Sequence, residues 1–280
     1  MKARELHEYL LSLNGGWVDL DKTVDTFKAG DPESEIRGIV VGWMSYTWAL
    51  QRALELGCNA FITHEPTYYD HYDRDERIFQ MPGVREKQRW IEDSGLVILR
   101  CHVLWDQMPE IGIPASWGDW LDLGPHVAGE GYYRVYDIAG KTAMQVAQQI
   151  ARRVQPFGQD AVELIGPPDR PVTRACIGTG AITPFLGMRA QYGADLAICT
   201  DDGLTYWRDA AYAIDNDLPI IVVNHAVSEE AGLMNLAKHL EVNFKEIPVH
   251  HIPQKCMFQW VPGIPGLQGS QSPDYNEQAR

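Results

Sequence analysis

The chain has 280 residues, 45% hydrophobic and 22% charged, a balance that suits a globular protein with a sizeable core and excludes a disordered chain. A formal net charge of −14 argues against nucleic acid or anionic membrane as the main partner, because both repel a net anion. The N-terminal MKARELHEYLL lacks an apolar run of signal-peptide length, no stretch reaches a membrane span, and the five cysteines are dispersed without a CxxC, so a cytoplasmic setting is expected.

Residues 39–66 read IVVGWMSYTWALQRALELGCNAFITHEP. The pattern predicts a strand over 39–42, a helix over about 46–56, a stop at Gly57, and a second strand over 60–63. The uninterrupted apolar runs suit strands covered on both faces, as in a parallel α/β sheet. Further on, YYRVYDI (132–138) alternates like a strand, and TAMQVAQQIARRV (142–154) predicts a helix. Its inward face would carry Ala143, Val146, Ala147, Ile150, Ala151 and Val154, and Thr142 with Gln145 has capping-box spacing. AVELIG (161–166) is a further short strand.

Residues 175–202 repeat the punctuation of 39–66 at a constant offset of 136, which aligns Gly42 with Gly178, Leu50 with Leu186, Gly57 with Gly193 and Ile62 with Ile198. LVILRCHVLWD (96–106) and PIIVVNHAVSE (219–229) form a second pair, each an apolar strand ending in His-x-x-x-acid, at an offset of 123. The expected fold is therefore α/β, with two similar halves arising by internal duplication. The halves are expected at 1–128 and 129–262, with 263–280 a loose tail.

In parallel α/β sheets ligands collect at the carboxyl ends of strands. Three strands end on candidate metal ligands: His64 and Glu65, His102 with Asp106, and His225 with Glu229. Imidazole and carboxylate together suit Zn, Mn, Fe or Co. Six such residues suffice for two ions that each keep an open position, where a bound water's pKa falls towards ~7. A single His at a strand end is more often a hydrogen-bonded loop residue. The recurrence of His-x-x-x-acid in both halves favours a dinuclear site between them, at strand C-terminal ends.

The segments GCNAFITHEP, CHVLWDQMPEIG and NHAVSEEAGLMNLAKHL resemble, in order and spacing, the signatures of the GTP cyclohydrolase 1 type 2 homologues, or Nif-three-like dinuclear metal proteins. The resemblance covers residues 36–125 and 172–245. It implies a duplicated α/β fold, a toroidal homohexamer and two divalent ions per subunit. By position it carries ligand roles onto His64, His102, Asp106, His225 and Glu229, with His102 the least secure as a direct ligand. The family motif usually reads His-His-Pro, whereas this chain has His64-Glu65-Pro66. Glu65 is thus a candidate ligand favouring Mn or Fe, a candidate general base for catalysis, or a carboxylate that only hydrogen-bonds beside the site.

Tyr68, Tyr69 and Trp105, close in sequence to the ligands, are candidates to line a pocket for a flat heterocycle, against their ordinary use in core or interface. Asp70-His71-Tyr72-Asp73 reads either as partners that orient His64 or as a solvated loop. Asp201 and Asp202 are expected in the place of His64 and Glu65 in the second half, where Asp-Asp-Gly is also an ordinary turn. The expected function is a metal-dependent hydrolase of a small molecule, a ring amide or an N-heterocycle. The alternative is a non-catalytic metal-binding or regulatory protein. No GxxxxGK[ST] loop is present to support a nucleotide triphosphate independently.

Overall fold

The structure, a computed structural model, describes residues 1–261. The segment 263–280, expected as a loose tail, lies outside the described residues. In chain order the elements are α1 (Ala3–Ser12), β1 (Phe27–Ala29), β2 (Ile39–Gly42), α2 (Thr47–Glu55), β3 (Ala60–Thr63), α3 (Glu76–Phe79), α4 (Pro82–Ser94), β4 (Val97–Arg100) and α5 (Val103–Asp106). They continue with α6 (Ile113–Leu121), β5 (His126–Ala128), β6 (Arg134–Thr142), α7 (Ala143–Val154), β7 (Glu163–Ile165), β8 (Pro171–Ile177) and α8 (Phe185–Tyr192). The last are β9 (Leu196–Thr200), α9 (Ala211–Asp215), β10 (Ile220–Val223), α10 (His225–Asn243) and β11 (Val249–His251).

Within the described residues the chain packs as two units: Met1–Met108 with Leu233–Pro253, and Pro109–Gly232 with 254–261. The first holds a five-stranded sheet ordered β1-β4-β3-β2-β11. Strands β2, β3 and β4 run parallel, and every residue in them is buried. That burial is why their sequences are continuous apolar runs rather than alternating ones. The second unit holds a six-stranded sheet ordered β5-β6-β8-β9-β10-β7, with β8, β9 and β10 parallel.

The expected duplication is present as topology. In each unit a strand-helix-strand passes to a third parallel strand and then to a helix that starts at or just after a histidine. The 136-residue offset also relates Phe27–Ala29 to Glu163–Ile165, and these are β1 and β7, each an antiparallel edge strand beside the third parallel strand. Helices α2 and α8 both stop at a glycine in the left-handed region, Gly57 at φ +75° and Gly193 at φ +67°, where any Cβ would be strained.

Helix α7 forms with its Thr142–Gln145 capping box made in both directions. Ala143, Val146, Ala147, Ile150 and Val154 are buried, and Ala151 is half-buried. A cap contributes about 1 kcal/mol, whereas each fully buried Val or Ile contributes about 1.5–3 kcal/mol. Packing therefore dominates.

Two segments pack differently from a simple cut at residue 128. Residues 109–128 belong to the second unit because β5 pairs with β6 and α6 lies so close to β6 that a Cβ on Gly118 would strike the Tyr136 hydroxyl. Residues 233–253 belong to the first because β11 joins the β2 edge in parallel. Among the described residues no helix is long and apolar enough to cross a membrane.

Candidate metal sites

In the first unit the chain leaves β3 at Thr63 and turns at once, with the amides of His64 and Glu65 reaching the Trp43 carbonyl at 3.1 and 2.7 Å. His64 is buried, and its Nδ1 lies 3.0 Å from the Cys101 carbonyl. A carbonyl only accepts, so Nδ1 carries the proton and the lone pair sits on Nε2. That Nε2 is 3.1 Å from His102 Nδ1 and 3.4 Å from Asp106 Oδ1. His102 Nδ1 in turn lies 3.3 Å from Asp106 Oδ2, one helical turn on. The ligand atoms of all three lie within 4.8 Å of one another. Two imidazoles and a carboxylate converging from a buried strand end fit a divalent ion such as Zn²⁺.

Two residues hold this group in place from behind. Asp25, itself buried, accepts from the amides of His102 and of Leu104, the latter at 3.3 Å, and so caps the start of α5. Burial pushes the Asp25 carboxyl above its ordinary pKa, against the hydrogen bonds from Thr23, His102 and Leu104. Arg100, the last residue of β4 and fully buried, donates from Nε to the His64 carbonyl at 2.9 Å and from Nη1 to the His71 carbonyl. Its Nη2 lies 3.4 Å from Glu65 Oε2. Burial lowers the Arg100 pKa, and Glu65 is the strongest charge opposing that shift. Glu65 also has a carboxylate oxygen within 4.8 Å of a His64 ring nitrogen.

The 70–73 loop divides by residue. The His71 ring meets His102 edge-on, centroids 5.6 Å apart. Asp73 accepts from the amides of Thr67 and Tyr68 at 3.2 and 2.6 Å and pairs with half-buried Lys28 at 3.4 Å. The partner on His64 Nδ1 is the Cys101 carbonyl rather than a loop carboxylate. Of the aromatics considered as pocket walls, Tyr68 lines a cavity of about 420 Å³ with Tyr72, Lys28 and Phe79. Tyr69 is half-exposed over Lys87. Trp105 is fully buried against His239 and belongs to the core.

In the second unit His225 opens α10 and Glu229 follows one turn later, with His225 Nε2 and Glu229 Oε1 3.1 Å apart. The other nitrogen, Nδ1, is 2.8 Å from Asp202 Oδ2. Burial opposes charge on His225, but Glu229 and Asp202 outweigh it and hold the imidazole pKa well above 6.5. Gly180, at φ +44°, forms a cradle here: a Cβ would stand 2.4 Å from His225 Nε2 and 2.5 Å from Glu229 Oε1. An imidazole and a carboxylate over a glycine that leaves them space also fit a metal-ligand pair.

The strand register corrects one expectation. Val41 pairs with Ile62 and Ile177 with Ile198, so the 136-residue offset puts Thr200 in the place of His64 and Asp201 in that of Glu65. Thr200 is spent inside the turn, donating to the Gly180 carbonyl at 2.5 Å. Asp201 accepts from the His225 amide at 3.0 Å, doing for α10 what Asp25 does for α5. Of the residues that sequence reasoning missed, Asp25 and Gly180 left no signal in their own segments. Arg100 did leave one, a lone charge closing the apolar run VILR.

The model of the family described as Duf34/NIF3 (NGG1p interacting factor 3) matches residues 19–256. Among curated proteins none matches the chain. Solved structures share the fold. Staphylococcus aureus hypothetical protein SA1388 is 18% identical, with a TM-score of 0.74 over 93% of this chain and 99% of its own. The Bacillus cereus protein related to NIF3 is 12% identical, with a TM-score of 0.75 over 93% and 99%. Reduced HcgD from Methanocaldococcus jannaschii is 16% identical, with a TM-score of 0.69 over 90% and 97%.

Proposed function

The chain belongs to the Duf34/NIF3 family, and on that premise we propose that it is a metal-dependent hydrolase of a small molecule, a ring amide or an N-heterocycle. The proposed cofactors are two divalent ions per chain, drawn from Zn, Mn, Fe and Co. The ligands assigned are His64, Glu65, His102, Asp106, His225 and Glu229.

The observation that carries the reading is the His64 Nε2 lone pair facing His102 Nδ1 at 3.1 Å and Asp106 at 3.4 Å. Three protein ligands leave a tetrahedral ion one further position, and the His102 side chain, 14% exposed, is the member of the group that solvent reaches most. A divalent ion held there would supply Lewis-acid polarisation of a carbonyl and a water acidified towards pKa ~7. The protein's own part is to fix the His64 tautomer through Cys101, to fix the start of α5 through Asp25, and to hold Glu65 beside Arg100. Glu65 is assigned first as a ligand, and as general base if its neutral variant keeps both ions.

The homohexamer and the cytoplasmic setting are proposed on the family resemblance and the cysteine pattern. The 81% exposure of Trp207, beside half-exposed Tyr206, supports assembly, because such aromatics favour interfaces. Elemental analysis of protein purified without added metal, followed by assays against ring amides and GTP with His102→Ala as control, tests the reading. Bound metal with turnover that His102→Ala abolishes upholds it. Bound metal with no turnover on any compound would return the alternative, a non-catalytic metal-binding or regulatory protein, and absence of metal would overturn both.

A further inference from the structure

We infer that Asp202 is a positioning residue that orients His225 and sets how tightly the ion on His225 and Glu229 is held. The inference rests on the metal reading above and deepens it. Both ring nitrogens of His225 are accounted for: Nδ1 meets Asp202 Oδ2 at 2.8 Å, and Nε2 faces Glu229 Oε1 at 3.1 Å. With the Nδ1 proton directed at a carboxylate, Nε2 is the nitrogen left to bind an ion on the side where Glu229 lies, which is the arrangement of a metal-ligating histidine backed by an acid.

The turn that carries Asp202 is built for this contact. A Cβ on Gly203 would come 2.1 Å from Thr183 Oγ1 and 2.5 Å from Thr200 Oγ1, so the turn lies tight on two buried threonines. The adjacent acids then divide the start of α10 between them. Asp201 takes the backbone, accepting from the His225 amide at 3.0 Å and the Asn224 side-chain amide at 2.8 Å. Asp202 takes the ring. The Asp202 side chain is 55% exposed, so the core does not depend on it, and its carboxylate meets the imidazole.

The first unit solves the same problem differently. There the Nδ1 of His64 is held by a neutral carbonyl, that of Cys101. An anionic acceptor makes an imidazole a stronger donor than a neutral one does, so the two ligand groups are unequal by construction. Removing the Asp202 charge should weaken one ion and spare the other.

The test uses the full chain stripped by a chelator and refilled with Co(II), read by its visible absorption and by chelator competition. The proteins compared are wild type, Asp202→Asn, Asp202→Ala, Asp202→Glu and Glu229→Gln. Asp202→Asn and Asp202→Ala are expected to bind one ion roughly 10–100-fold more weakly, with its Co(II) band displaced and the other ion unchanged. Asp202→Glu should recover part of the loss, and Glu229→Gln should weaken the same ion. The melting temperature of the metal-free Asp202 variants should stay near that of the wild type. Wild-type affinity for both ions in Asp202→Ala would overturn the inference. So would equal weakening of both ions with a lowered metal-free melting temperature, which marks a merely structural role. A wild-type protein that takes up no Co(II) instead removes the metal reading itself, and this inference with it.

Discussion

Arg100 and Glu65 face each other at 3.4 Å across the ends of β4 and β3, with the guanidinium fully buried and the carboxylate 13% exposed. Arg100 also donates to the His64 and His71 carbonyls. A charge held that far from water depends on its partners, because an uncompensated buried ion is costly. The chain thus places a guanidinium directly behind the one position where it departs from the His-His-Pro pattern.

Glu65→Gln should therefore lower the unfolding free energy of the metal-free protein by about 1–3 kcal/mol, less than a full buried pair because two carbonyls still receive Arg100. Urea denaturation measures this. Metal content separates the chemical roles. Selective weakening of one ion marks Glu65 as a ligand, whereas two retained ions with turnover down roughly 10²–10⁴-fold mark it as general base. Unchanged stability, metal content and activity together would leave Glu65 no role beyond filling space.

Gly180→Ala should disturb the ligand pair it cradles. Its Cβ would stand 2.4 Å from His225 Nε2 and 2.5 Å from Glu229 Oε1, at a backbone φ of +44°. The expected outcome is loss of at least one bound ion together with a lower melting temperature. Gly193→Ala is the matched control, with φ +67° and nothing within 4 Å of the new Cβ. It should cost only about 1 kcal/mol and leave metal content intact. Equal metal content in both variants would remove Gly180 from the site.

Lys87 makes stability depend on alkaline pH. It is 5% exposed, donates to the Thr67 carbonyl at 2.6 Å, and burial pulls its pKa from 10.5 to about 8, with Asp73 opposing. The folded pKa lies below the unfolded one, so from pH ~8 to ~10.5 the unfolded chain binds more protons and stability rises with pH. Below about pH 8 both states are protonated and the penalty, roughly 2–4 kcal/mol, is constant. Urea midpoints of wild type minus Lys87→Met at about pH 7 and about pH 10 should show this rise. A difference independent of pH would refute it.

In solution the protein should run as a six-chain assembly. Light scattering that returned a single species at the chain mass of 31.6 kDa would contradict this. Trp207, 81% exposed, is the residue to challenge, and Trp207→Glu should shift the population towards smaller species.

The features legible in the sequence are those written by neighbours a few residues apart. Continuous apolar runs mark β2, β3, β4, β9 and β10 because both faces of each are covered. The Thr142–Gln145 box and the stops at Gly57 and Gly193 are readable because capping and positive φ are local demands on residue type. The candidate ligands are also legible as candidates, since His64, His102 and His225 each stand within two residues of the end of an apolar run. What the sequence alone left undecided depends on which strands pair. Asp25 reaches the His102 amide across 77 residues, the Cys101 carbonyl orients His64 across 37, and β11 joins the β2 edge. Backbone amides and carbonyls carry no residue-type signature, so nothing in their own segments announces these bonds. Asp202 is the clearest case. As part of Asp-Asp-Gly it is an ordinary turn residue, and only the register of β9 beside β10 brings its carboxylate to the His225 ring.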